Sequence, residues 1–520
     1  MPTRRHLQKP SHENHMRKVI KEQLELGESD IANIQFDLQS RDEIPKLLMG
    51  LQYIYANEPL RDKVFNILED LTPNGTDPNN GRDGMPYWKI LVLGTLRLTC
   101  NFDYDKLKEI ADQHQSVRQM MCHGPFDTGT YYPLQTLKDN VSLLTPEVLG
   151  RINQCVVSHS HQLLGKTQTD PLFARCDSFV VETNVHYPTD INLLLDAMRK
   201  VITLMALVCA EAGITDWRQS EHNKRKCKKQ YRKAQQLKRS TSKDPKKQAE
   251  REHKIKEAHL TYIKEIESFL EKADRTLALL REGNPIGDFK LITIERYMKD
   301  AHRQIDQISR RIIFEEKIPH DEKVFSIFEQ HTEWISKGKA GVPQELGLKV
   351  CILEDPHGFI THHQVMQKQT DDQIAVPFIK KAKELFPNLS GCSFDKGFYS
   401  PENVKELNEL LDKVVLPKKG KPSKKEKEIQ SSDEFIQARR QHSAIESAIN
   451  ALENHGLDRC PDRGPDAFVR YVSLSVLSRN IQIIGHLIQQ KMFRSEKRRN
   501  KYQTTRNNNR LNRSKIQRAA

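Results

Sequence analysis

Three acidic residues in this chain open a route to metal-assisted phosphoryl chemistry. Asp177 lies within Leu172-Phe-Ala-Arg-Cys-Asp-Ser-Phe-Val-Val181, a short apolar run bounded by Asp170-Pro171 that reads as a strand. A carboxylate in such a run must be paired or bind a metal, because burying an unpaired charge is prohibitive. Asp395 closes a second strand-like run that begins at Leu389. After it, Lys396-Gly397 turns the chain, Ser400 suits a helix N-cap and Pro401 suits the first helical position. A carboxylate at the C-terminal tip of a strand is where ligands sit in α/β folds. The third member comes from a helix predicted over Glu434 to Asn454. There Ile445, Ala448, Ile449 and Leu452 form an apolar stripe, and Glu446, Asn450 and Glu453 share a polar face. Glu446 is the preferred third carboxylate and Glu453 the reserve.

Converging carboxylates suit two Mg²⁺ ions, with Mn²⁺ as a substitute, because both metals prefer hard oxygen ligands. Two such ions, about 3.5–4 Å apart, clamp the attacking and leaving oxygens of an in-line phosphoryl displacement. Each residue also has a plainer reading: Asp177 pairing with Arg175 or a lysine, Asp395 forming a turn, Glu446 decorating a helix surface. The sequence contains neither a G-x-S-x-G elbow nor a Walker-type loop.

The elements that must position these residues follow in a telling order. The Asp177 strand is succeeded by a helix over about Ile191 to Ala212 and then a highly charged arm. A hairpin is predicted from Gly347–Leu353 and Phe359–Met366, turning at Asp355-Pro-His-Gly358. Next come an amphipathic helix over Asp371 to Phe386, the Asp395 strand, a helix over Pro401 to Leu411, a strand at Lys413–Leu416 and the Glu446 helix. Strand, hairpin, helix, strand, helix, strand, helix is the order of a ribonuclease-H-like α/β sheet. The text before it is helical from about Glu22 onward, apart from a Pro/Asn/Gly loop at Leu71–Pro86. Three short helices between Tyr87 and Met121 resemble a helix-turn-helix unit. The predicted organisation is an all-α N-terminal domain (1–165), the first part of a ribonuclease-H-like domain (166–214) and a basic helical hairpin insertion (215–322). The rest of the α/β domain (323–490) and a basic, disordered tail (491–520) follow.

Net charge is +14 with an isoelectric point near 9.2, which points to a polyanionic partner. The charge is concentrated: Arg218 to Lys256 holds 16 Lys and Arg against 4 Asp and Glu. That excess is too lopsided for salt-bridge decoration and favours phosphate contact. Lys224, Arg225, Lys228, Lys229, Arg232 and Lys233 are its candidate DNA contacts, with Lys339, Lys418, Lys419 and Arg440 elsewhere. The nine cysteines form no C-x-x-C pair, so reduced thiols are expected and a zinc site is not. No apolar run approaches the roughly 20 residues of a membrane span, and the N-terminus lacks a signal-peptide core. A cytoplasmic location is the expectation.

Three strings resemble the DDE transposases of bacterial insertion sequences, especially the ISNCY group. They are Asp177-Ser-Phe-Val-Val-Glu-Thr-Asn-Val-His-Tyr-Pro-Thr-Asp190, Phe394-Asp-Lys-Gly-Phe-Tyr-Ser-Pro-Glu-Asn403 and His442-Ser-Ala-Ile-Glu-Ser-Ala-Ile-Asn450. Thr332-Glu-Trp-Ile-Ser-Lys-Gly-Lys339 is also similar. The resemblance implies metal-dependent cutting and joining of double-stranded DNA at an element's terminal inverted repeats and at target DNA. It implies a homodimer or higher oligomer on DNA, near the nucleoid, and gives catalysis and metal binding to Asp177, Asp395 and Glu446. Many relatives place Tyr and Arg before the Glu and Lys seven residues after it; here those positions hold Arg439, His442 and Glu453. The lysine's role therefore does not carry over, and Arg440, Lys418 or Lys419 are the candidates to replace it. Trp334 is a candidate for stacking on a flipped base, as aromatics do in related enzymes. The competing readings are an inactive, transposase-derived DNA-binding protein and a ribonuclease-H-like nuclease with another duty.

Overall fold

The computed structural model describes residues 15–20, 27–72, 82–167, 169–237, 241–283, 288–336 and 344–519. These form two compact units. The first comprises residues 1–182 and 348–520, and the second residues 183–347.

In the first unit a two-residue parallel pair, β1 (His15–Met16) and β2 (Arg82–Asp83), accompanies seven helices. They are α1 (Glu43–Ala56), α2 (Glu58–Glu69), α3 (Tyr87–Thr99), α4 (Tyr104–Gln113), α5 (Gln115–Met120), α6 (Leu134–Val141) and α7 (Pro146–Leu163). Several of their starts follow from capping. Asp42, Asn57, Asp103 and Thr145 each accept a backbone N–H of the first turn with the side chain. The stretch Ile31–Phe36 was expected to be helical, but only Ile31–Asn33 forms a 3₁₀ turn, with Asp30 as its cap. Asp30 accepts the Ala32 N–H and starts the turn, but the backbone is already extended at Ile34, so the turn does not continue into a helix.

The sheet begins with β3 (Leu172–Thr183) and continues after the second unit. β5 (Gln344–Glu354) and β6 (Ile360–Met366) form the predicted antiparallel hairpin. α12 (Asp371–Leu385) leads into β7 (Leu389–Phe394), and α13 (Pro401–Leu410) leads into β8 (Lys413–Val415). In sheet order β6, β5, β3, β7 and β8 lie side by side, and β3, β7 and β8 run parallel. The short β9 (Arg459–Cys460) also pairs with β3. This is a ribonuclease-H-like α/β arrangement preceded by an all-helical region.

The helical region is not a separate body. Its apolar faces (Leu47, Leu51, Leu91, Val156) share one core with sheet residues (Val350, Ile352, Phe394) and with α17 (Pro465–Ala519). Two buried asparagines fasten this junction. Asn153 and Asn480 each donate to the Ile360 carbonyl, and Asn480 accepts the Ile360 N–H. The crossing of α1 and α17 depends on Gly50 and Gly485. A Cβ on Gly485 would collide with the Lys46 carbonyl, and one on Gly50 with that of Ile481. The tail was expected to be disordered, yet α17 runs unbroken to Ala519. Beyond Gly485 it contains no Gly or Pro to break it, and its many Lys, Arg and Gln residues are good helix formers.

The second unit has its own core. α8 (Asp190–Glu211), α9 (Ser220–Gln236), α10 (Pro245–Gly283) and α11 (Asp288–Ile308) bury Leu194, Met198, Tyr231, Tyr262, Ile266 and Ile294 together. The unit starts at Thr183, whereas charge placed the helical insertion at 215. Charge density marks the arm's exposed part, but the buried face of α8 packs with it. The predicted hairpin is three helices, because α9 ends at Gln236 and α10 starts at Pro245. β4 (Glu333–Ser336) pairs antiparallel with residues 344–347 of β5. No helix among the described residues is long and apolar enough to cross a membrane.

Candidate active site

Asp177 and Asp395 come together through strand register. β3 and β7 are parallel and pair Cys176 with Phe394, so the residue that follows each member of this pair is one of the two aspartates. In-register neighbours on adjacent strands project from the same face. Asp395 directly follows β7 at the N-cap position of the 3₁₀ turn Lys396–Phe398, without a side-chain cap bond; Ser400 then caps α13 through the Asn403 N–H. Asp177 is half-buried, whereas Asp395 is exposed.

The third carboxylate arrives on a broken helix. The stretch predicted as one helix from Glu434 to Asn454 is α15 (Asp433–His442) and α16 (Ala444–Leu452), followed by a π-helical turn at Glu453–Leu457. α14 (Lys424–Gln430) precedes them. The break at Ser443 puts Glu446 in the first turn of α16, exposed, while Ile445, Ala448 and Leu452 are buried as predicted. His442 ties this segment to the sheet: its Nδ1 is hydrogen-bonded to Ser393 Oγ at 3.0 Å, two residues before Asp395.

Electrostatics connects the three. Burial pushes the Asp177 carboxyl up to about 6, against a hydrogen bond from the Ser178 N–H that lowers it. The negative charges of Asp395, Asp371 and Glu446 raise it further. His442 is pushed down by burial while the charges of Asp395 and Glu446 pull the other way. Arg175, the plainer partner for Asp177, is instead bonded to Glu354 at 2.9 Å. Asp395 and Glu446 take part in no ion pair among the described residues. At the same time, no three His, Cys, Asp or Glu side chains among the described residues are arranged as they stand to hold a metal ion.

The candidate DNA contacts fall into separate groups. In α9, Cys227, Tyr231 and Ala234 are buried in the second unit, while Arg225, Lys228, Lys229, Arg232 and Lys233 are exposed. Lys224 is bonded to Glu221 at 2.5 Å. Lys418 is paired with Glu426 at 2.7 Å, while Lys419 and Arg440 are exposed. Lys339 lies outside the described residues. Trp334, on β4, packs between the rings of Tyr187 and Phe325, at 5.7 and 5.6 Å. Trp88 and Trp217 are core residues whose indole N–H groups bond Met120 O and Thr276 Oγ1.

Sequence reasoning missed Asp371, one of the three carboxylates whose charge Asp177 feels. Its only signal was an acidic residue after Thr370 at a helix start, which ordinary capping already explains. Residues 313–481 match the family model of the transposase DDE domain. The matched segment covers about a third of the chain and includes Asp395, Glu446 and Asp371; Asp177 precedes it. No curated protein and no solved structure gives a significant match.

Proposed function

We propose that this chain is a transposase that cleaves and joins DNA strands at the ends of an insertion sequence, with Asp177, Asp395 and Glu446 as its catalytic carboxylates. The observation that carries this reading is the DDE-domain match over the segment whose Asp395 and Glu446 act electrostatically on Asp177. The finer resemblance, to the ISNCY group, belongs to the same proposal.

The donor set fits Mg²⁺ or Mn²⁺: hard oxygens, two of them exposed and in no ion pair among the described residues, crowding a half-buried third. Asp177, Asp395 and Glu446 would hold the metal, which when bound supplies an activated attacking oxygen and a stabilised leaving oxygen. The chain's own residues do the rest. The β3–β7 register keeps the first two carboxylates side by side, and the His442–Ser393 bond fixes the approach of the Glu446 segment. The exposed cations of α9 give the unit that carries them a sequence-independent hold on phosphates. Double-stranded DNA ends and target DNA are the proposed partners, bound by a homodimer or higher oligomer in the cytoplasm.

The test is Asp395→Asn. Folding and binding to end-containing DNA persist, while Mg²⁺-dependent strand cleavage disappears. Cleavage retained by that variant contradicts the assignment. Specific binding by the wild-type chain with no nicking in Mg²⁺ or Mn²⁺ favours a DNA-binding derivative without catalysis. Equal cutting of forks, junctions and linear ends favours a nuclease with another role.

A further inference from the structure

One carboxylate beside this centre has no part in the proposed chemistry. Asp371 is the first residue of α12. Its Oδ1 accepts a hydrogen bond from Ser178 Oγ at 2.6 Å, and its Oδ2 accepts one from Lys349 Nζ at 2.9 Å. Ser178 directly follows Asp177, and its N–H donates to Asp177 Oδ1 at 2.7 Å. On another side Asp371 abuts the turn that follows Asp395. A Cβ placed on Gly397 would stand 3.0 Å from Asp371 Oδ2, so this glycine lets the turn come close. One side chain thus touches β3 just past Asp177, β5 at Lys349 and the turn just past Asp395.

Each oxygen of Asp371 already has a partner, and the charge of Lys349 offsets its own. Such a group is a poor metal ligand. It is well placed to fix backbone, because a charge-assisted hydrogen bond is shorter and stronger than a neutral one. We propose that Asp371, held by Lys349 and bonded to Ser178, is a positioning residue. It clamps the strand after Asp177 against the turn after Asp395 and so sets how those two carboxylates meet a divalent cation. This inference rests on the function proposed above. Without the clamp, the two carboxylates depend on strand register alone for their spacing. Outer partners of metal ligands of this kind typically cost about 10- to 100-fold in metal affinity or activity when removed.

The experiment titrates Mn²⁺ into the full-length wild type, Asp371→Asn, Ser178→Ala and Ser178→Thr. It reads both cleavage of end-containing DNA and the Mn²⁺-induced rise in melting temperature. Asp371→Asn and Ser178→Ala should raise the half-saturating Mn²⁺ concentration about 10- to 100-fold in both readouts. Ser178→Thr keeps the hydroxyl and should restore most of the loss. The metal-free melting temperature of Ser178→Ala should stay near wild type, which separates positioning from misfolding if Asp371→Asn is unstable. Wild-type Mn²⁺ dependence in both Asp371→Asn and Ser178→Ala overturns the proposal, as does an equal loss in the Thr and Ala variants. A wild type that binds Mn²⁺ without cleaving defeats the transposase reading, and the melting shift still decides the clamp. A shift weakened in Ser178→Ala and kept in Ser178→Thr upholds it; an unchanged shift overturns it. No Mn²⁺-induced shift in the wild type overturns the clamp as well.

Discussion

Asp177 is a half-buried acid crowded by three other carboxylates, and this fixes how metal-free stability should respond to pH. Its folded pKa, about 6, lies above the ordinary value of 3.8. Its contribution to stability is therefore fully present below about pH 4 and is lost as pH rises through about 6. A shift of this size corresponds to about 2–3 kcal/mol. Asp177→Asn should be more stable than wild type in metal-free buffer at pH 7 by up to that amount, and the gap should close near pH 4. Denaturant unfolding at the two pH values checks this; a gap independent of pH contradicts it. Adding Mn²⁺ should reverse the order, because only the wild type gains a cation for its crowded charges. At this scale the sequence was partly legible. Asp177 stood out as a carboxylate in an otherwise apolar strand, and Asp395 as one at the C-terminal tip of a strand. Asp371 did not, because an Asp in a helix's first turn is ordinary and its bonds to Ser178 and Lys349 depend on pairings far apart in the chain.

Among the elements, α9 separates binding from stability most cleanly. Its buried face is Cys227, Tyr231 and Ala234, and its open face is a run of Lys and Arg. Replacing Arg225, Lys228, Lys229, Arg232 and Lys233 with Gln should leave the melting temperature nearly unchanged, since exposed charges contribute little. It should weaken binding to all DNA sequences and flatten the salt dependence by about 0.9 in log–log slope for each phosphate no longer neutralised. An unchanged slope in a binding titration over salt removes α9 from the interface. Elements with strong local signals were readable. The β5–β6 hairpin, α12 and α13 all lie within a residue or a few of their predicted bounds. Breaks were not. Ser443, between α15 and α16, carries no Gly or Pro signal, and apolar spacing continues across it. The same holds where residues 31–36 fail to extend into a helix: periodicity reports which face is apolar, not whether the backbone stays wound.

For the whole molecule, the joining of the helical region to the sheet is the feature least visible in sequence. The two were expected as separate domains. They share one core because α17 starts beside the sheet and crosses α1 at Gly50 and Gly485. Neither glycine marks a turn, and only the close approach of two helices far apart in the chain gives them a role. Gly485→Ala should cost at least about 1–3 kcal/mol through overpacking, seen as a lower midpoint in denaturant. A neutral result would mean that the helices can separate without loss. The central claim concerns chemistry, and its most direct test is a strand-cleavage assay on a duplex carrying the element's inverted repeat, with Mg²⁺. The assay compares wild type, Asp395→Asn, Glu446→Gln and Glu453→Gln. The wild type and Glu453→Gln should nick the element end, and Asp395→Asn and Glu446→Gln should not. Cleavage by Glu446→Gln at the wild-type rate, or its loss in Glu453→Gln alone, would contradict the assignment.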